Sequence, residues 1–260
     1  MYDLASIEAS LSGTLFARHF HYSESTGSTN NDALHAARAG APHGSVYVAN
    51  EQTAGRGRGD HAWHSTAGEG LYASVLLRPA IPMSRLPLLP LAAGLAAADA
   101  IHAITGLAVD LRWPNDLLIG PRKTGGILVE SHIEAGSVAF AVVGIGINVH
   151  QRAFAAHLAT PATSLDLEAG ARIGRQAILI ALLKSLEREM QALCDRDAAP
   201  AIPRRVESSS TWVRDRKVEV HGPQACIGTT DGLDENGFLR VLTCDAVVTV
   251  QTGGLRDAAD

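Results

Sequence analysis

The chain has 260 residues, 46% hydrophobic and 19% charged, enough to bury a substantial core in one large domain or a large one with a small companion. Its 22 basic and 27 acidic residues give a formal charge of -5 with no basic cluster, which argues against nucleic-acid binding and leaves room for a local site for one small anion. Three cysteines, Cys194, Cys226 and Cys244, with no Cys-x-x-Cys pair, argue against a disulfide framework or zinc knuckle and fit a reducing cytosol.

Met1-Tyr2-Asp3-Leu4 lacks the basic start and apolar centre of a signal peptide. The longest apolar run, Leu86 to Ala98, contains two prolines and is too short to span a membrane, so a cytoplasmic protein without membrane contact is expected.

In chain order, Phe16 to Tyr22 reads as a first strand. Ser28 or Thr29 then caps a helix whose small apolar face is Ala33, Leu34, Ala36 and Ala37, with Gly40 as its stop. Capping alone would account for Ser28-Thr29-Asn30. Ser45 to Ala49 and Gly70 to Leu77 read as strands on either side of Glu51 to Trp63. Within that connection, Gly55-Arg56-Gly57-Arg58-Gly59 alternates glycine with arginine, a pattern too costly in backbone entropy for a helix or strand. It reads as a loop, either a flexible turn or a pair of guanidiniums able to close over an anion such as phosphate.

Leu88 to Thr105 reads as a buried alanine-rich helix stopped by Gly106, and Val109 to Trp113 as a strand ending at Pro114. After a Pro114-Asn115-Asp116 turn, Leu117 to Ile119 and Gly125 to Glu130 read as a hairpin joined through Gly120-Pro121-Arg122-Lys123. Ser137 to Val149 is the most strand-like stretch, with Gly144 and Gly146 on one face. Two glycines there make a trough, for a ligand or for close packing of another element. Gly174 to Cys194 is amphipathic, with Ile178, Leu182, Leu186, Met190 and Leu193 as its buried stripe. A polar break follows over Asp195 to Pro203. Four short strands, at Lys217–Val220, Ala225–Thr230, Phe238–Leu242 and Ala246–Gln251, then suggest a small barrel. The pattern is α+β: a mixed sheet with helices, then a small all-β unit.

The motifs have complementary chemistry. Ser28, Thr29, Asn30 and Gln52 suit an uncharged polar group such as an amide or urea. Arg56, Arg58 and Lys123 suit a phosphate or carboxylate. Gly126, Leu128, Gly144 and Gly146 suit an apolar stem. The chain has no P-loop, Gly-x-Ser-x-Gly elbow or His-Glu-x-x-His pattern, and His61 and His64 read as solvated loop residues, so no protein metal site is expected.

Five motifs in order carry a family resemblance: Ser28-Thr29-Asn30, Gln52-Thr53-Ala54-Gly55-Arg56-Gly57-Arg58, Arg112-Trp113-Pro114-Asn115-Asp116, Lys123-Thr124-Gly125-Gly126-Ile127-Leu128-Val129-Glu130, and Gly144-Ile145-Gly146-Ile147-Asn148-Val149. The chain resembles the biotin protein ligases. The resemblance implies a class II synthetase-like catalytic domain over 1–209 and an SH3-like domain over 210–260. It implies ATP-dependent formation of biotinyl-5′-AMP, then transfer of biotin to a lysine of a biotin carboxyl carrier domain, with Mg²⁺ accompanying the nucleotide. By position, Ser28, Thr29, Asn30 and Gln52 would bind the ureido head. Arg56, Gly57 and Arg58 would close over the carboxylate and adenylate, with Arg56 and Lys123 as the catalytic cations. Gly126, Leu128 and Gly144 would line the stem, Asn148 would reach the adenine, and Trp63 would pack over the intermediate. Asp116 is a candidate carboxylate for Mg²⁺.

Two departures stand out. Asp60 and His61 replace the second Gly-Arg usual in such loops, which predicts weaker retention of the adenylate, and Arg112 replaces a usual Lys. The alternative is a lipoate or octanoate ligase or transferase, whose Arg-Arg-x-Ser-Gly-Gly-Gly stretch is absent from this sequence. Some biotin ligases carry an N-terminal helix-turn-helix, but only 27 residues precede Ser28, so a monofunctional ligase without DNA binding is expected, as a monomer or weak homodimer.

Overall fold

A computed structural model describes residues 2–59, 61–156 and 158–258. Strands β1 (Phe20–Thr26), β2 (Ser45–Gln52), β3 (Gly70–Leu77), β4 (Asp110–Arg112), β5 (Asp116–Ile119), β6 (Arg122–Glu134) and β7 (Ser137–Asn148) make a seven-stranded sheet in the order β1-β2-β3-β7-β6-β5-β4. The β1–β2 pair is parallel and the other pairs are antiparallel, so the sheet is mixed. Every residue of central β3 is buried, as its nearly continuous apolar run requires of a strand covered on both faces.

The two faces are covered unequally, and this positions the site. Helices α3 (Leu88–Thr105) and α5 (Arg175–Cys194) share the main core with Val75, Leu77, Val143 and Ile145. Helix α2 (Thr29–Arg38) packs Ala33 and Ala37 on Leu76, Phe140 and Val142 of the opposite face. Side-chain alternation puts Tyr72 and Ser74 of β3, Gly144 and Gly146 of β7, and Gly126 and Leu128 of β6 on that second face, where the apolar packing of α2 gives out.

Helix α3 ends where its sequence demands: Gly106 takes a left-handed φ of 73° and its N–H donates to His102 O. Contrary to the sequence reading, this 18-residue helix is long and apolar enough to cross a membrane by length and composition alone. It runs through Pro90, which lies in the first turn, where a missing N–H breaks no intrahelical bond. Its packing inside the main core accounts for the composition.

A second antiparallel sheet follows, in the order β11-β10-β9-β8-β12, from β8 (Arg214–His221), β9 (Cys226–Leu233), β10 (Leu239–Leu242), β11 (Val247–Val250) and β12 (Gly254–Asp257). Its Val218, Val220, Leu239, Val241 and Leu255 join the main core alongside Trp212 and Val213. Trp113 Nε1 donates to Gly237 O at 3.0 Å, tying the two sheets further.

Some elements differ from expectation. β1 starts at Phe20 rather than Phe16, and Phe16 is a buried core residue in a turn. Short helices α1 (Leu4–Ser10), α4 (Leu165–Ala169) and α6 (Ile202–Ser208) are too brief to show a period, although Ile202 and Val206 bury one face of α6. β12 buries only Leu255 and carries no alternation signal.

Candidate active site

The connection after β2 is structured. Gln52 bridges Ser65, Arg56 bridges Ala62, and Gly57 N donates to His61 O at 2.7 Å, so the glycine-arginine stretch folds back on itself as a ribbon. A Cβ on Gly55 would stand 2.4 Å from Trp63 O, so only glycine allows this turn. His61 is exposed. Asp60 lies outside the described residues.

Ser28, Thr29 and Asn30 open α2, and all three are buried. Capping does not explain them: Ser28 is the N-cap residue, yet its side chain makes no cap hydrogen bond. Thr29 donates from N and Oγ1 to Gln52 Oε1 at 2.9 and 3.1 Å, and Gln52 Nε2 donates to Ser65 Oγ at 2.8 Å. Ser74 Oγ lies 2.7 Å from Thr29 Oγ1 and 2.5 Å from Asn30 Oδ1, while Asn30 Nδ2 donates to Glu130 at 2.8 Å. The result is a rigid nest of neutral donors and acceptors.

The expected cations are each held by a protein acceptor. Lys123 Nζ lies 2.5 Å from Asp116 Oδ1, and Arg112 binds Asp116 Oδ2 through Nη2 at 2.6 Å and Nε at 3.1 Å. Burial pushes the Asp116 carboxyl up, but Lys123 and Arg112 outweigh it and hold the group below the ordinary carboxylate range. Both oxygens of Asp116, the carboxylate considered from sequence for Mg²⁺, are thus engaged by cations of the protein. Among the described residues no cluster of three His, Cys, Asp or Glu side chains is arranged for a metal. Arg112 also donates to Thr160 at 2.8 Å and stacks on Trp212. Arg56 pairs with Glu130, and Arg58 bonds to Thr252 and the carbonyl of Gly253 in the turn between β11 and β12.

The glycine trough is occupied by the protein's own side chains. A Cβ on Gly144 would stand 2.1 Å from Asn30 Oδ1, and one on Gly146 would stand 2.6 Å from the Trp63 ring. Close packing is therefore what these glycines allow in this structure, and Trp63 lies directly on the sheet. Its ring also faces Gly126, and Lys123 Nζ is 5.5 Å from its centroid. Leu128 O lies 3.4 Å from Asn30 Nδ2, and Asn148 Nδ2 donates to Thr163 O at 3.1 Å.

Ser28, Thr29, Asn30, Gln52, Arg56, Gly57, Arg58, Trp63, Lys123, Gly126, Leu128, Gly144 and Asn148 all line one cavity of about 940 Å³. Its walls include residues that the sequence reading did not assign: Tyr72 on β3, Gln151 just beyond β7, and His221, Pro223 and Arg256 from the second sheet. Ser74 and Glu130, also unassigned, hold the polar nest together. A lone serine in the apolar run of β3 was the available signal for Ser74. Nothing local announces the residues of the second sheet. Among the described residues, six buried side-chain polar atoms make no hydrogen bond, and three of them, Trp63 Nε1, Gln151 Oε1 and His221 Nε2, belong to residues of this cavity, His221 Nε2 lying 3.8 Å from Glu219 Oε2. Such atoms cluster where an external group is to be bound.

Residues 22–148 match the profile of the biotin/lipoate A/B protein ligase family. The chain is 39% identical over 186 residues to the bifunctional ligase/repressor BirA of Bacillus spizizenii, an alignment covering 71% of this chain and 57% of that protein. It thus spans little more than half the length of that relative. It is 35% identical over 235 residues to the biotin–[acetyl-CoA-carboxylase] ligase of Mycobacterium tuberculosis, covering 88% of this chain and 85% of the other. In structure it is similar to a biotin protein ligase from Aquifex aeolicus in complex with biotin and ATP, with a TM-score of 0.81, 29% identity, and coverage of 93% and 100% of the two chains. With the five motifs lining one cavity, these likenesses show that the chain belongs to the biotin/lipoate A/B protein ligase family, among its biotin protein ligases.

Proposed function

We propose that the protein activates biotin with ATP and transfers it to a lysine of a carrier domain. The observation that carries this reading is the layout of the cavity. Ser28, Thr29, Asn30 and Gln52, the apolar surfaces of Gly126, Leu128 and Gly144, and the cations Lys123, Arg56 and Arg58 all line one cavity, in which Trp63 lies on Gly126 and Gly146 and has to move off the sheet to admit the stem. A ureido head, an apolar stem and an anionic end match those three kinds of surface.

In the first step, a carboxylate oxygen of biotin attacks the α-phosphorus of ATP, and pyrophosphate leaves with the electrons of the broken P–O bond. In the second, the neutral amine of the acceptor lysine attacks the acyl carbon of biotinyl-AMP, AMP leaves, and the amine loses a proton. Neither step needs a protein nucleophile. Lys123 neutralises charge as the carboxylate approaches the phosphate, and Asp116 aims Lys123. Arg56 and Arg58 close the loop over the adenylate, Trp63 covers it, and Asn148 contacts the base. Mg²⁺ bound with the nucleotide would be held by its phosphate oxygens and would offset their charge. Residues 1–209 carry the chemistry, and residues 210–260 form an SH3-like unit that completes the rim.

Pyrophosphate release with biotin, and separately with lipoate, tests the reading, together with mass analysis of a biotin carboxyl carrier domain as acceptor. Turnover with biotin and a single biotinylated lysine are expected. Turnover with lipoate alone, or with neither acid, overturns it.

A further inference from the structure

Arg112 is a residue of the cavity wall with no task in the proposed chemistry. It lies on β4 directly across from Asp116 on β5 and is only 8% exposed. Its Nε and Nη2 both donate to Asp116 Oδ2, at 3.1 and 2.6 Å, and Nη2 also donates to Thr160 Oγ1 at 2.8 Å. The guanidinium lies over the Trp212 ring, 5.0 Å from its centroid. A lysine has one nitrogen and no flat face, so it could not make all these contacts at once.

The consequence falls on the other carboxylate oxygen. With Oδ2 gripped by Arg112, Oδ1 faces Lys123 Nζ at 2.5 Å. The Lys123 backbone is fixed as well: its N–H donates to Pro161 O at 2.8 Å, and its carbonyl accepts from Thr163 N at 2.9 Å. The place of the ammonium on the cavity wall therefore depends on one carboxylate, and the orientation of that carboxylate depends on Arg112.

Trp212 is held from a distant part of the chain. Residues 209–212 run along β4, the edge strand of the first sheet. Leu111 N donates to Ser209 O at 3.1 Å, Ser210 Oγ donates to Leu111 O at 2.5 Å, and Thr211 N and Oγ1 donate to the Asp110 carboxylate at 2.8 and 2.6 Å. Arg216 of β8, bound to Asp257 of β12 at 2.7 Å, lies 3.6 Å from the centroid of the same ring. The indole is 5% exposed, and such packing leaves it no room to swing away from Arg112.

We propose that Trp212 is a positioning residue for Lys123: the indole braces the Arg112 guanidinium, the guanidinium sets the Asp116 carboxylate, and the carboxylate fixes the ammonium that meets the reacting groups. The inference rests on the proposed adenylation. It makes the junction with the second sheet part of the geometry at Lys123, since Arg216 and Asp257 hold the indole from that side. A charge displaced from the reacting atoms loses much of its effect on the rate, so a loose indole is read as slow chemistry.

The test is a double-mutant cycle in pyrophosphate release at saturating biotin and ATP, with wild type, Trp212→Leu, Lys123→Ala and the double variant. Trp212→Leu is expected to lower kcat about tenfold. In the Lys123→Ala background the same change is expected to lower it no further, because the group that Trp212 positions is gone. A merely structural indole would behave differently. Poor folding removes the same fraction of active enzyme in either background, so the two losses would multiply. Losses that multiply therefore overturn the proposal, as does an unchanged kcat in Trp212→Leu or a loss confined to KM. Should Trp212→Leu fail to fold, Arg112→Lys takes its place in the cycle. It keeps the charge but gives up the stacking and the double grip, the same loss and the same cancellation are expected, and the same outcomes count against the proposal. If wild type releases no pyrophosphate with biotin and ATP, adenylation itself is refuted and the proposal falls with it. If wild type turns over and the losses multiply, only the role of Trp212 is refuted.

Discussion

The Arg58 guanidinium reaches from the glycine-arginine ribbon to the carbonyl oxygen of Gly253 and the hydroxyl of Thr252, tethering the ribbon to the turn between β11 and β12. Arg58→Ala is expected to loosen both partners. Hydrogen–deuterium exchange should quicken over residues 53–63 and 251–254, with a loss of about 1 kcal/mol in unfolding free energy, since charge-assisted bonds at a half-exposed site are discounted by solvent. Unchanged exchange at 251–254 would refute the tether.

Asp116 lies between Lys123 and Arg112 with its carboxyl held below the ordinary range. A depressed folded pKa adds stability that is present above the unfolded value of about 4 and is lost as pH falls through the folded value. Asp116→Asn should therefore cost about 2 kcal/mol near neutral pH, where it strands two cations, and progressively less in acid. Urea unfolding of both proteins from pH 7 downwards measures this. A gap that widens on acidification contradicts it.

Lys123 is the cation assigned to the reacting carboxylate and phosphate. Lys123→Ala should lower kcat/KM for biotin-dependent pyrophosphate release by about 100-fold. The same rate in the variant would move the central positive charge elsewhere.

Two glycines should respond to alanine in opposite ways. At Gly144 the new methyl would stand 2.1 Å from Asn30 Oδ1, so the nest around Thr29, Ser74 and Gln52 must shift. A loss of about 1–3 kcal/mol and weaker biotin binding are expected. At Gly94, inside α3, the nearest atom to an added methyl is Leu111 Cδ2 at 3.7 Å, an ordinary contact. Gly94→Ala should raise stability by about 0.5–1 kcal/mol through helix propensity. Thermal melting of the pair checks both signs, and equal destabilisation would refute the account.

Local chemistry wrote much of the fold into the sequence. β3 and α3 have the expected limits because an apolar run and a glycine stop are local signals. The elements that went unread, α1, α4, α6 and β12, have seven residues or fewer and are too short for a period to emerge, while β6 extends at both ends beyond the expected Gly125 to Glu130, to Arg122–Glu134. The thirteen residues singled out from sequence share one cavity, from strands, a helix start and the connections between them.

Sequence alone therefore brought thirteen residues to the site, since alternation along a strand and the start of a helix are properties of neighbours in the chain, but not the residues of the second sheet that share the cavity. Only the tertiary structure decided what each one touches. Arg56 meets Glu130 across 74 positions, and Arg58 meets Gly253 across 195. Trp63 lies on Gly146 instead of above a wider trough. Gln151 Nε2 reaches the hydroxyl of Tyr72, 79 positions earlier. Periodicity reports the direction of a side chain. Its partner depends on which distant segment the packed core brings opposite, and no local pattern encodes that.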